Sequence, residues 1–209
     1  MSRRRKTALT LICAALLFGA EAVVFWTQDW RYNLPTPRPA VLVQAAPGTK
    51  LVLPHEVDEL RAGAPERPIL LHFYNPSCPC SRFNLEHVRG LARRHSGQAL
   101  VVAVLQIEPD DVRAVEREAE RLSFPVVADF KGKLAAACGV YSTPQAVVIS
   151  AEGRLLYRGN YNSSRYCTSP ATEFARLALE AAIDRRPIFQ FPDVATIAYG
   201  CPLPAGSEK

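Results

Sequence analysis

Hydrophobic and polar positions divide the chain into stretches of different character. Residues 8–26 are almost continuously apolar, with Glu21 the one charge among them. About 20 such residues suffice to cross a hydrocarbon core as a helix. Residues 31–47 have no period and carry Pro35, Pro37, Pro39 and Pro47, which predicts an extended spacer. Beyond it, short apolar runs alternate with amphipathic ones. The pattern predicts a short helix at 56–62, a buried strand at 69–74, a helix at 80–94 and a strand at 99–106. The charged run 110–121 predicts a solvated helix, followed by a short strand at 125–128 and a small helix at 131–138. Segments 145–150 and 155–158, split by Glu152-Gly153, predict a β-hairpin, and 171–183 a long amphipathic helix. The tail 187–209 has no clear period. Strands separated by helices and closed by a hairpin and a helix predict an α/β sandwich whose parallel strands carry an antiparallel edge. The boundaries that follow are a membrane segment at 1–30, a spacer at 31–47, one domain at 48–186 and the tail at 187–209.

Charge sharpens the reading of the first segment. The formal net charge is +5, and Arg3, Arg4, Arg5 and Lys6 supply most of it. No basic face with interleaved aromatics follows, so no nucleic-acid partner is expected. A basic cluster ahead of an apolar run stays cytoplasmic and exports what comes after it. This predicts a single-pass anchor in a bacterial-type inner membrane, with the N-terminus cytoplasmic and the domain periplasmic. The rival is a cleaved signal peptide, because Ala20-Glu21-Ala22 has the small-x-small form of a cleavage site. The apolar stretch continues through Val23, Val24, Phe25 and Trp26, which favours the anchor. Either way the domain lies outside the cytoplasm.

Export changes how the cysteines read. Of six, Cys13 sits in the apolar run, leaving Cys78, Cys80, Cys138, Cys167 and Cys201 in an oxidising compartment. Five implies two disulfides with one thiol over, or transient pairing. Cys78-Pro79-Cys80 stands between the first predicted strand and the following helix, where two thiols can form a redox pair, a soft-metal clamp or part of the packing. With Cys78 as helix N-cap, Pro79 is the first helical residue and its missing N–H costs nothing. The helix dipole then favours a Cys78 thiolate, and Arg82 adds positive charge on nearly the same side. Cys167 and Cys201 are expected to pair with each other, stapling the tail to the domain. Asn160-Tyr161-Asn162 and Ser164-Arg165-Tyr166 read as a binding surface or as a solvated loop. His55 and His95 read as surface residues.

With this order of elements, Cys78-Pro79-Cys80 opening a helix and Thr143-Pro144 before the hairpin, residues 48–185 resemble the thioredoxin superfamily. The longer middle is similar to its membrane-tethered TlpA and redoxin-type thiol-disulfide proteins. The resemblance implies a thioredoxin-like three-layer sandwich with a mixed sheet, and a cis peptide bond at Thr143-Pro144 whose backbone holds an extended substrate. At His72 it implies a proton carrier for the second cysteine, against which stands a core histidine with a satisfied hydrogen bond, and it implies a place for Cys138 near the active-site end. There Cys138 either resolves a mixed disulfide or is a small buried hydrophobe. Two departures stand out: one residue rather than two separates the cysteines, and Ser77 replaces the usual aromatic before them.

The leading expectation is a thiol-disulfide oxidoreductase on protein thiols, working with an electron donor or acceptor and without a cofactor. Cys78 attacks, Cys80 resolves, and Thr143 and Pro144 bind substrate backbone by strand addition. The alternative is a Cu(I) metallochaperone, since thioredoxin-like Sco-type copper proteins exist and closely spaced thiolates suit Cu(I). No histidine lies near 141–144 to complete such a site. A peroxidase is disfavoured, because the positions that peroxiredoxins fill with Thr or Ser and with Pro hold Asn75 and Leu71 here.

Overall fold

Ile69–Tyr74 forms the central strand β1, and every one of its residues is buried. That explains an apolar run without alternation: both faces of the strand are covered. The computed structural model describes all residues except 1–2, 29, 31–33, 108–111, 165–166, 188–189 and 204–209. The start of the predicted 110–121 helix, Arg165, Tyr166 and the end of the tail therefore lie outside the described residues.

Around β1 the chain builds a five-stranded sheet in the order β3-β2-β1-β5-β6. Strands β2 (Leu100–Leu105) and β3 (Val126–Ala128) run parallel on one side, Ile69 facing Leu100 and Ala103 facing Val126. The hairpin of β5 (Gln145–Ile149) and β6 (Leu155–Gly159) runs antiparallel on the other, with His72 opposite Ala146. A separate two-stranded ribbon joins β4 (Ser142–Thr143) to β7 (Cys201–Pro202). The helices are α1 (Arg3–Gln28), α2 (His55–Ala62), α3 (Pro79–Arg94), α4 (Val112–Arg121), α5 (Lys133–Cys138), α6 (Phe174–Ile183) and α7 (Asp193–Thr196). The predicted 171–183 helix thus begins later, after a 3-10 turn at Pro170–Thr172. Helix α1 is long and apolar enough to cross a membrane and buries none of its residues against the domain.

One face of the sheet packs Leu71, Phe73, Val102, Val104, Val147 and Ile149 against Leu134, Cys138 and Val140. The other packs Leu70, Val101 and Val148 against Val88 and Leu91 of α3 and Ala175, Ala178 and Leu179 of α6. His95 belongs to this interior: only 7% exposed, it lies 3.8 Å from Glu180, so the surface expectation for it is corrected. His55 is exposed as expected.

Two expectations about the ends of the domain change. The spacer is docked along its second half rather than extended into solvent: Gln44 Nε2 donates to the Gly139 carbonyl at 2.6 Å and Arg158 to that of Ala45 at 3.1 Å. Closer to its start, the Thr36 N–H donates to the Ala198 carbonyl at 2.8 Å. The tail, unreadable by period, holds both α7 and β7. Elements of four and two residues are too short to show periodicity, so packing alone defines them.

Candidate functional site

The strand-to-helix junction after β1 is shaped by local hydrogen bonds. Asn75 Oδ1 accepts the Ser77 N–H at 2.8 Å, the Asn75 carbonyl accepts the Cys78 N–H at 3.0 Å, and Ser81 Oγ accepts the Asn75 N–H at 3.3 Å. This turn delivers Cys78 as the N-cap of α3 with extended backbone, φ −83° and ψ 120°, and Pro79 as the first helical residue. The cap placement read from the sequence is the one observed. Cys78 and Cys80 are both buried, 3% exposed each. Arg82 continues the first turn, its N–H donating to the Cys78 carbonyl at 3.2 Å, but its side chain is exposed. Its charge therefore acts on the thiols through solvent, where it is screened.

Opposite the helix tip lies β4, ending at a cis Thr143-Pro144 bond as the resemblance implied. Thr143 is fully buried, and Cys78 Sγ sits 3.7 Å from its carbonyl oxygen. The Thr143 hydroxyl is buried without a hydrogen-bond partner. Pro144 and Cys80 line a small recess together with Asn84, Tyr161 and Tyr199.

The structure pairs the cysteines differently from the expectation. Cys78 is bonded to Cys201, 123 residues away, with Cα atoms 6.3 Å apart. Cys167 carries a thiol, so the expected Cys167–Cys201 staple is corrected. The tail turns back over the helix tip, where β7 pairs with β4. Cys80 also carries its thiol, and the sulfurs of Cys78, Cys80 and Cys201 all lie within 4.8 Å of one another. Cys201, expected as half of a structural staple, lies with Cys78 and Cys80 instead. The signals for this in the sequence are the odd count of exported cysteines and the Gly200-Cys201-Pro202 segment, which is similar to a tail segment of some redoxin-type proteins.

Two other expected participants fall outside this cluster. Cys138 ends α5 inside the apolar core beneath the sheet, and burial pushes its thiol up to about 12, which disfavours the thiolate. The small-hydrophobe alternative describes it. His72 is fully buried on β1; its Nδ1 is hydrogen-bonded to the Tyr161 hydroxyl at 2.7 Å and its Nε2 has no partner. Neither ring nitrogen is bonded to a thiol. Burial, with the nearby His87 ring second, lowers its pKa to about 3, which makes it a poor proton acceptor. The expected proton-carrier role thus has no direct contact to act through. His72 is linked to the recess through Tyr161, whose ring also meets His87 edge-on at 5.8 Å between centroids.

Asn160 and Tyr161 turn out to be neither a solvated loop nor a free binding surface. Asn160 Nδ2 donates to the carbonyls of Val194 at 2.9 Å and Ile197 at 2.7 Å, which fixes α7 on the domain. Cys167 is the exposed-side thiol of the region. Hydrogen bonds from the Ser163 hydroxyl, the Ser169 backbone and the Thr172 hydroxyl lower its pKa.

Comparison with known proteins agrees with this architecture. The model of a family described as "Domain of unknown function (DUF6436)" matches residues 50–201. No curated protein matches the sequence. Among solved structures, a hypothetical protein from Sinorhizobium meliloti is 20% identical with a TM-score of 0.61, over 80% of this chain and 97% of that one. An uncharacterized conserved protein from Geobacillus kaustophilus is 18% identical with a TM-score of 0.64, over 84% of this chain and 100% of that one. A candidate thiol:disulfide interchange protein DsbE from Chlorobium tepidum is 19% identical with a TM-score of 0.50, over 68% and 99%. The fold is thioredoxin-like.

Proposed function

The chain belongs to the DUF6436 family, whose description assigns no reaction, and from the cysteine geometry we propose that it is a thiol-disulfide oxidoreductase acting on protein thiols through Cys78. One observation carries this: Cys78 caps α3, lies against the carbonyl of the residue before a cis-proline, and is already in a disulfide. The helix N-terminus favours its thiolate and so makes it both a good nucleophile and a good leaving group. A thiolate on a substrate protein attacks Cys78 Sγ, the bond from Cys78 to its partner sulfur breaks, and that partner leaves as a thiolate. A second substrate thiol then displaces Cys78, so the substrate gains a disulfide and the protein a dithiol. The reverse sequence reduces a substrate. Helix α1, with Arg3, Arg4, Arg5 and Lys6 at its start, supports a single-pass anchor whose basic end is cytoplasmic and whose domain works on the far side of the membrane. The test is exchange between a dithiol peptide and glutathione disulfide, followed with the full chain in detergent. Cys78→Ser is expected to lose at least 100-fold in rate; a variant as fast as the wild type would refute the reading.

A second reading has its own observation. With the disulfide closed, the sulfurs of Cys78, Cys80 and Cys201 lie within 4.8 Å of one another, and its reduction would give three thiols in one place. Three soft ligands with no fourth nitrogen or oxygen donor in the group suit Cu(I) better than tetrahedral Zn2+. Cys78, Cys80 and Cys201 would hold the ion. Titration of the reduced protein with Cu(I) against a competing chelator tests it: one tight equivalent that disappears in Cys201→Ser supports the site, and no retention rejects it.

A further inference from the structure

The edge of β4 is occupied. β7 runs antiparallel along it with Ser142 opposite Pro202 and Thr143 opposite Cys201. The Leu203 N–H donates to the Tyr141 carbonyl at 3.2 Å, and Ser142 Oγ donates to the Cys201 carbonyl at 3.1 Å. This is the strand edge next to the cis-proline, the one an extended substrate would add to. The chain's own tail sits there as such a strand, and its cysteine is joined to Cys78. Gly200, the residue before that cysteine, has φ +141°, and a Cβ at this position would overlap the Thr143 carbonyl. The close approach of the two backbones therefore demands glycine there.

The tail is held in two tiers. Helix α7 is fixed through Asn160 and through Tyr157, whose hydroxyl donates to the Ala195 carbonyl at 2.9 Å. Beyond Ala198 the hold is lighter: the two-residue strand, the disulfide, a Pro35–Tyr199 bridge, a Thr36 Oγ1 contact with the Gly200 carbonyl at 3.4 Å, and a Tyr199 hydroxyl bond to the Asn162 carbonyl. Three residues of extended chain span roughly 10 Å. A Cys201 thiol released from Cys78 but still anchored at α7 therefore stays at high effective concentration beside it.

We propose that Cys201 is a third redox thiol, which resolves mixed disulfides on Cys78 by returning β7 to the strand edge that the substrate has just occupied. This rests on the exchange chemistry proposed above. In the step, the Cys201 thiolate attacks Cys78 Sγ of the Cys78–substrate disulfide. The Cys78–Cys201 bond forms, the substrate leaves as a thiolate that takes up a proton from water, and no external oxidant or reductant is consumed. Because β7 and the substrate share one edge, resolution and expulsion of the substrate strand are the same event. Cys80, within 4.8 Å of both sulfurs, offers a parallel route: its thiolate attacks Cys78 Sγ of the Cys78–substrate disulfide, Cys78–Cys80 forms, and the substrate leaves as a thiolate. The surrogate also states what the site accepts, an extended strand with its cysteine opposite Thr143 and a glycine before it.

The test uses the full chain in detergent, reduced and freed of reductant without air, and the peptide Tyr-Gly-Cys-Pro-Leu with its cysteine activated as a thiopyridyl disulfide. The adduct on Cys78 is followed by quenched peptide mass mapping, which separates it from any on Cys167. In Cys80→Ser the adduct is expected to decay at least tenfold faster than in the double variant Cys80→Ser/Cys201→Ser, leaving a Cys78–Cys201 disulfide. Adding Gly200→Val to Cys80→Ser, which keeps the Cys201 thiol, is expected to slow the decay several-fold. Equal adduct lifetimes with and without Cys201 would overturn the resolving role while leaving exchange at Cys78 intact. No adduct on Cys78 in any of the proteins would bring down both readings.

Discussion

The two faces of the central sheet are built from the same strands and do different work. Toward α5, β1 presents Ile69, Leu71 and Phe73 to a core of Val, Ile and Leu in which Cys138 is merely one more small apolar group. Toward α3 and α6, the alternate positions Leu70, His72 and Tyr74 place an imidazole in the interior, with its Nδ1 bonded to Tyr161 and its Nε2 unpartnered. An unsatisfied buried polar atom costs stability, of order 1–3 kcal/mol. The first face is packed with apolar side chains; the second carries His72 and Tyr161, and Tyr161 lines the recess beside Cys80. The same contrast divides the cysteines. Burial holds the proton on Cys138, whereas Cys78 stands at the N-terminus of α3, the position from which the proposed exchange would start.

The largest effect expected is on the reactive side. Cys78→Ser should abolish exchange by at least 100-fold yet leave the fold intact, as read by far-UV circular dichroism, since only one tail contact depends on it. A variant that unfolds would erase the distinction between scaffold and site. On the apolar face the order reverses. Phe73→Ala should lower the unfolding free energy by about 3–5 kcal/mol in urea titrations, the usual result of emptying a large core site. Exchange per folded molecule should be unchanged.

His72 sharpens the comparison through pH. Its folded-state pKa is about 3 against 6.5 for the unfolded chain, so between those values the unfolded state binds more protons. Stability contributed by the neutral ring is full above pH 6.5 and is lost as pH falls toward 3, at up to ~1.4 kcal/mol per pH unit. His72→Phe should flatten that slope relative to the wild type when both are unfolded in urea at pH 7 and pH 5. Equal slopes would mean that the buried ring does not titrate as its surroundings dictate. The smallest effect belongs to Cys138→Ala, which should cost about 1 kcal/mol, the worth of one buried methylene-sized group, and leave exchange untouched. A large loss of exchange in that variant would return Cys138 to the chemistry.

Much of the fold was legible because its signals are local. The uninterrupted run at β1, the 3.6-residue stripe of α3 and the Glu152-Gly153 turn between β5 and β6 each declare an element within a few residues. Cys78 as helix cap was legible for the same reason, through Pro79. The partner of Cys78 was not. Pairing Cys167 with Cys201 was the economical choice along the chain, but disulfide connectivity depends on where backbones meet in space, which spacing does not encode. His95 is another case: a polar residue by composition, it is buried where α6 brings Glu180 within 3.8 Å of it.

By itself the sequence determined an apolar N-terminal helix, an alternation of strands and helices closed by a hairpin, and Cys78 as a helix cap ahead of Pro79, all consequences of patterns a few residues long, while the thioredoxin-like fold and the cis bond at Thr143-Pro144 came from a resemblance. Only the tertiary structure decided that the unpatterned tail forms the strand on β4 and that Cys201, rather than Cys80, closes on Cys78. The physical reason is that a two-residue strand has no period of its own. It exists because Asn160 and Tyr157 pin α7, Thr36 lies against Gly200, and a glycine lets two backbones meet.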